Sequence, residues 1–318
     1  MTFHENPQEF YEAIQAASQY FNIREVLIEK DYWVSYVLKN LSNSEYKNKV
    51  VFKGGTALSK AFTYIARFSE DIDLALLDKK NIGDAKRKTL FKDIENEITE
   101  GLKPIKDHPD TVKRGRNRRT FYSYDKISSD NNFGVLKDVI QFEINSFTNP
   151  VPNEKIEVKS LLFEFLESKE FYEEIRKNEL EPVTLNVLSL ERTFAEKLLS
   201  LIRLSYEGVD SLKNKIRHFY DLHMILENND IINSGTYEII HLAKKDDENN
   251  PLFNGEWLNK PLSVSPLFQN LEEYWKKLES TYQKELPQLC WLDKIPASEQ
   301  ILNSITQIRA FIKKSESQ

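Results

Sequence analysis

Asp71 and Asp73 stand one residue apart in Asp71-Ile72-Asp73-Leu74-Ala75-Leu76, a run whose opening alternates polar and apolar as a β-strand does. Residues i and i+2 of a strand project from one face, so the two carboxylates stand side by side. Carboxylates that close repel, and one is driven toward protonation unless a cation sits between them. A hard divalent cation such as Mg2+ takes oxygen ligands and keeps waters or substrate phosphates in its other positions. Ions held this way clamp the attacking and leaving oxygens of in-line phosphoryl chemistry. An isolated Asp-x-Asp is more often a solvated turn or strand end, so what precedes this pair matters.

Upstream, the β-rich run Lys49-Val50-Val51-Phe52-Lys53 ends at Gly54-Gly55, and Thr56 to Ile65 reads as a helix. Backbone at the double glycine approaches a ligand closely, and N–H groups opening a helix suit an anion. Thr56 and Ser59 offer hydroxyls to a triphosphate, and Lys53, Lys60 and Arg67 offset its charge. Strand, Gly-Gly-Thr, helix and then Asp-x-Asp on a strand is a far rarer combination than either motif alone.

The elements that must hold these residues follow from periodicity. Pro7 to Tyr20 and Ile23 to Leu41 read as helices, Asp84 to Gly101 as an amphipathic helix, and Thr120 to Ile127 and Val135 to Phe147 as strand-like. Asn149-Pro150-Val151-Pro152-Asn153 is the clearest break. Beyond it, Val158 to Glu167 begins as a strand, Val183 to Leu188 is a short strand, and Ser189 to Leu204 is a helix with Ser189 as N-cap. Lys213 to Leu226, Leu267 to Glu285 and Ala297 to Ile312 are helical, while 229–262 is polar and irregular. The expected architecture is α+β and bilobed: an α/β half over 1–150 with its N-terminal helices, and a mainly helical half over 151–318.

Charged residues make up 30% and hydrophobic ones 40%, which fits a folded chain and excludes a disordered one. The single cysteine, Cys290, excludes an internal disulfide and a cysteine zinc site, and points to a reducing, cytoplasmic setting. No apolar run is long enough for a membrane span, and the first ten residues do not read as a signal peptide. The net charge of −6 excludes a uniformly basic nucleic-acid binder. Between Lys103 and Lys126, however, eight Lys/Arg face three acids. The densest part, Arg114, Arg116, Arg118 and Arg119, suits RNA phosphates; the plainer reading is a solvated hairpin tip. Phe121, Tyr122 and Tyr124 read as core, as do Tyr32 and Trp33, with Glu29, Lys30 and Asp31 as an inter-lobe ion network. Lys197 lies at the border of an apolar face of Leu190, Phe194, Leu198 and Leu201, and alone reads as a lysine that buries its stem and keeps its head in water. Asp221 has Arg217 one turn back, and His218 and His223 are spaced poorly for a metal.

Taken together, Lys53-Gly-Gly-Thr-Ala-Leu-Ser-Lys60 and Arg67-x-Ser69-x-Asp71-Ile-Asp73-Leu74 resemble the AbiEii/AbiGii-type nucleotidyltransferase toxins, a group that includes the MenT toxins. Glu29-Lys30-Asp31-Tyr32-Trp33, Leu190-Glu-Arg-Thr-Phe-Ala-Glu-Lys197-Leu and Arg217-His-Phe-Tyr220-Asp221-Leu222 are similar to further motifs, so the resemblance runs from about residue 25 to 226. It implies a DNA polymerase β-type lobe with Mg2+ (or Mn2+) on Asp71 and Asp73. It also implies an NTP cradled by Lys53, Gly54, Gly55, Thr56, Ser59, Lys60, Arg67 and Ser69, with Lys197 on its phosphates and Asp221 as a further essential acid. Polymerase β folds carry a third carboxylate on a neighbouring strand, a place Glu143 fits as base or metal ligand; otherwise Glu143 is an ordinary outward strand residue. The implied acceptor is the 3′ end of tRNA and the implied partner a separately encoded antitoxin, often without a stable complex. A protein hydroxyl or small molecule as acceptor, or a non-catalytic RNA- or nucleotide-binding module, are the rival readings.

Overall fold

The alternating run at Asp71 forms β2 (Asp71–Leu76), and the β-branched run before the glycines forms β1 (Val50–Lys53), paired antiparallel so that Lys53 stands opposite Asp73. The computed structural model describes residues 1–77, 82–128, 137–248, 250, 253, 255–291 and 295–317. Its chain divides into two units: Met1–Thr63 with Phe68–Ser146 and Asn153–Leu188, and Tyr64–Arg67 with Phe147–Pro152 and Ser189–Gln318.

In the first unit, α1 (Pro7–Phe21) opens on a proline, whose fixed φ suits a first helical turn, and closes on Asn22 at φ 54°. α2 (Glu25–Asn43) follows, then β1, the seven-residue α3 (Gly54–Lys60), β2 and α4 (Asp84–Ile98). Next come β3 (Lys103–Pro104), β4 (Val112–Lys113), β5 (Asn117–Ser123), β6 (Ile140–Asn145), β7 (Asn153–Val158), α5 (Leu161–Ser168), α6 (Tyr172–Lys177) and β8 (Val183–Leu188). The strands make one eight-stranded mixed sheet ordered β3-β5-β6-β2-β1-β8-β7, with β4 on β5. β1–β8 and β2–β6 are parallel pairs; the others are antiparallel.

Strand alternation gives this sheet two unlike faces. Phe52, Ile72, Leu74, Phe142 and Ile144 are fully buried on one, a gain of about 1.5–3 kcal/mol for each large side chain. Arg118 and Tyr122 of β5 lie on that same face, and both reach Glu95 of α4, which marks where the helix covers it. The other face carries Lys53, Asp71, Asp73, Glu143 and Arg119, all half-buried.

α2 is buried from Val26 to Ser35, including three consecutive charges. Each charge has partners inside this unit. Glu29 accepts from Ile127 N (2.7 Å), Ser128 N (3.0 Å) and Ser128 Oγ (2.6 Å); Lys30 pairs with Glu70; Asp31 takes Lys60 at 2.5 Å and Leu161 N at 2.8 Å. The network expected between lobes therefore lies within one of them, because ions sealed in a core must be neutralised where they stand.

The second unit is helical: α7 (Leu190–Ser205), α8 (Val209–Lys213), α9 (Ile216–Asn228), α10 (Ser234–Glu248), α11 (Pro266–Gln269), α12 (Leu271–Glu285) and α13 (Ser298–Ser315). Ser189 caps α7, its Oγ accepting from Arg192 N at 3.2 Å. Three expectations shift. The main boundary lies at Leu188 rather than near 150, since β8 pairs with β1 and draws 153–188 into the sheet. The strand ends at Val158, because Ser160 caps α5 through Phe163 N. The region 229–262, read as irregular, contains α10, whose acids bind arginines of α7: Asp246 takes buried Arg192 at 2.7 Å and Asp247 lies 3.9 Å from Arg203. No helix among the described residues is long and apolar enough to cross a membrane.

Candidate active site

On the polar sheet face, register fixes a row. Lys53 stands beside Asp73, Asp73 beside Glu143, and Glu143 beside Arg119, with Asp71 two residues along β2 beside Gln141. Directly paired residues share a face, so two aspartates and a glutamate are gathered over two neighbouring strands. Strand geometry alone accomplishes this, with the apolar residues between them anchoring the opposite face.

Gly54 completes the wall beside Asp73. Its φ is +83°, and a Cβ there would meet Asp73 Oδ2 at 2.3 Å. The Asp73 carboxylate thus lies directly against the backbone that turns from β1 into α3. Thr56, fully buried, donates from Oγ1 to Ser69 Oγ at 3.1 Å, tying α3 to the segment leading into β2. Ser59 Oγ donates to Thr56 O at 3.1 Å. Gly54→Ala is expected to cost about 1–2 kcal/mol from its left-handed backbone and to push the Asp73 carboxylate aside. Any activity of this site should fall by far more than a small drop in melting temperature explains; parallel rate and thermal-melt measurements check this.

The two aspartates suit a hard divalent ion: oxygen donors, side by side, against a glycine backbone that leaves room. No group of three His, Cys, Asp or Glu able to hold a metal occurs among the described residues. Glu143 is turned to Arg119, whose Nε donates to Oε2 at 2.7 Å. That leaves the aspartate pair as the candidate oxygen donors on this face.

The basic candidates separate. Arg114 and Arg116 are exposed at the β4–β5 turn, and Arg119 is half-exposed on the polar face. Arg118 faces the other way, buried and paired with Glu95, so it is removed from any surface contact with RNA. Lys60 is also withdrawn: its ammonium is buried on Asp31, Ser35 Oγ (2.8 Å) and Lys159 O (3.3 Å), so it ties α3 to α2 rather than facing a triphosphate.

A second set of charges lies in the second unit. Asp221 of α9 is fully buried, and Arg67 grips it with two bonds, Nε to Oδ1 and Nη2 to Oδ2, both 2.7 Å. Lys197 of α7 donates to Oδ2 at 2.7 Å. Arg67 and Lys197 are themselves buried. Asp221 therefore serves these two cations and not Arg217, and Arg67, a candidate for the nucleotide, is engaged on Asp221. Burial pushes the Asp221 carboxyl up, but the charges of Arg67 and Lys197 overrule it and hold it well below the usual range. Burial pulls the Lys197 ammonium below its ordinary value, against the opposing pull of Asp221.

His218 adjoins this cluster and was not expected there. Its Nδ1 is buried without a hydrogen-bond partner among the described residues. Burial, then the charges of Lys197 and Lys215, hold the imidazole well below its usual value, so it is neutral near pH 7. The unfolded chain takes up a proton below about pH 6.5 that the folded chain refuses, so stability falls as pH drops through that point. The limiting slope is about 1.4 kcal/mol per pH unit. His4 and His223 are lowered too, so the readout is a difference: His218→Gln should flatten the dependence between pH 6.5 and 5 by about one proton, measured as urea midpoints against pH.

The model of the family described as "Nucleotidyl transferase AbiEii toxin, Type IV TA system" matches residues 36–304. Among solved structures, the chain is similar to MenT4, the nucleotidyltransferase toxin Rv2826c from Mycobacterium tuberculosis H37Rv. The TM-score is 0.63 at 16% identity, over 94% of this chain and 89% of that one, a likeness of fold. No curated protein matches the sequence.

Proposed function

Because the chain belongs to the AbiEii family of nucleotidyltransferase toxins of type IV toxin–antitoxin systems, we propose that it moves a nucleotide from an NTP to the 3′ end of tRNA, at a site built on Asp71 and Asp73. The observation that carries this reading is the aspartate pair on the polar sheet face, with Asp73 packed against the Gly54 backbone. Bound Mg2+ (or Mn2+) supplies Lewis-acid charge to the triphosphate. Asp71 and Asp73 hold that ion, and the backbone at Gly54 and Gly55, with Lys53 and Ser69, receives the phosphates. An acceptor hydroxyl forms a bond to the α-phosphorus as the bond to pyrophosphate breaks, and the hydroxyl proton leaves to solvent or a neighbouring carboxylate.

Lys197, which donates to Asp221, is the helical unit's candidate cation for the nucleotide phosphates. Arg67, Lys197 and Asp221 are buried together, and the two cations share the one carboxylate. Asp221 orients the two cations. Arg114 and Arg116 suit acceptor phosphates. Translation would stop because a capped tRNA cannot be charged, and a separately encoded antitoxin would restrain the activity without a lasting complex.

Incubation with each of the four labelled NTPs, Mg2+ and total tRNA tests the reading. Nuclease-sensitive label is the expected product. Protease-sensitive label moves the acceptor to a protein, label on a small molecule moves it there, and NTP binding without transfer leaves a nucleotide-binding module.

A further inference from the structure

Arg119 holds a position that the mechanism above does not use. It stands in register with Glu143, which stands in register with Asp73, so the guanidinium lies at the end of the acidic row on the same sheet face. Its Nε donates to Glu143 Oε2 at 2.7 Å, and the pair is only partly shielded, with 35% of the arginine side chain and 18% of the glutamate exposed. Burial disfavours its charge, but the bond and charge of Glu143 outweigh that, with Asp73 and Asp71 adding to the attraction. Three carboxylates on adjacent strands otherwise need cationic charge between them. Here part of that charge is supplied by the protein itself.

We propose that Arg119 is the resident counter-ion of the acidic row: it keeps Glu143 off the cation site, so that the nucleotide-free protein takes one divalent ion, at Asp71 and Asp73. This rests on the metal-site reading of that pair. Arg119 is a positioning residue in this arrangement. A fixed positive charge beside the pair weakens binding of a divalent ion, and the same charge is available to the triphosphate when nucleotide arrives.

Titration of the full chain with Mn2+ alone, followed by the electron paramagnetic resonance of free aquo-Mn2+, reads this without reference to activity. The parent should bind one ion. Arg119→Ala should bind Mn2+ about tenfold more tightly, since a repelling charge is gone and a carboxylate is released. Glu143→Gln should bind no more tightly than the parent, and the double variant should fall between the parent and Arg119→Ala. The pair is partly solvated, and a thermal melt of each variant checks that the fold is kept. Unchanged or weaker binding by Arg119→Ala, or two equivalent ions on the parent, overturns the proposal. Full Mn2+ binding by Asp71→Asn or Asp73→Asn instead removes the metal-site reading beneath it.

Discussion

Asp73→Asn is expected to lower nucleotide transfer by about three orders of magnitude while leaving the protein folded. The loss follows from the proposed metal site: a divalent cation at the pair would supply several kcal/mol of transition-state stabilisation, and about 4 kcal/mol corresponds to a thousandfold in rate. Asparagine keeps the shape that fits against Gly54, where a Cβ would meet the carboxylate at 2.3 Å. It removes one of the neighbouring negative charges on the row with Asp71 and Glu143. Lys53 and Arg119 flank the same row, so loss of attraction offsets loss of repulsion and the melting temperature should move by only a few degrees. Initial rates with labelled NTP, set beside thermal melts, decide it; transfer at a tenth of the parent rate would remove Asp73 from the metal site.

The row itself was legible because strand periodicity is a short-range rule. Asp71-Ile72-Asp73 announced its own face, and the strands at Val50–Lys53, Asp71–Leu76 and Val183–Leu188 lie within a residue of where the pattern put them. The same rule, applied one element further, would have separated the arginines. With the strand started at Thr120, Arg118 and Arg119 read as one loop cluster. The strand starts at Asn117, and its pleat sends Arg118 into the core on Glu95 and Arg119 to the polar face on Glu143. Sequence gave no signal for β3 and β4, two residues each, because their pairing depends wholly on β5.

Charge was the least legible property. Lys60 and Arg67 read as ligand-facing and Glu29, Lys30 and Asp31 as an inter-lobe network, yet all five are buried within their own units, as is Arg192. Their partners are distant in sequence: Asp31 meets Lys60 and Leu161 N, Lys30 meets Glu70, and Arg67 meets Asp221 across 154 residues. Local pairing rules point elsewhere, to Arg217 for Asp221. The acids at the end of α10 misled for the same reason, since Asp246 and Asp247 look solvated until the arginines of α7 are brought to them. Motif resemblance singled out Lys197 and Asp221 where physics alone read a snorkelling lysine, but it could not show that the two are joined.

That junction carries the largest expected loss of stability. Asp221→Ala should destabilise the protein by about 3–5 kcal/mol, the usual consequence of removing one partner of a buried ion pair, because Arg67 and Lys197 are left as neighbouring cations in a sealed environment. Lys197→Met alone should cost less, since Arg67 keeps its two bonds to Asp221. Because both cations share one carboxylate, the double variant Lys197→Met/Asp221→Ala should cost less than the two single changes added, a coupling that a double-mutant cycle from urea unfolding measures directly. Additive losses would mean that the three do not act as a unit. The sign of the pH dependence separates this cluster from its neighbour. The Asp221 carboxyl is depressed, so its contribution is complete above its ordinary range near pH 4 and is lost only as pH falls through its lower folded value. Weakening between pH 6.5 and 5 therefore belongs to His218 and the other lowered imidazoles, and should persist in Asp221→Asn. Transfer activity of Asp221→Asn at pH 7.5 and low temperature, where enough of it is folded to assay, then isolates the orienting role. A rate loss at fixed folded fraction belongs to Lys197 and Arg67 left without their shared anchor, and a normal rate per folded molecule confines Asp221 to stability alone.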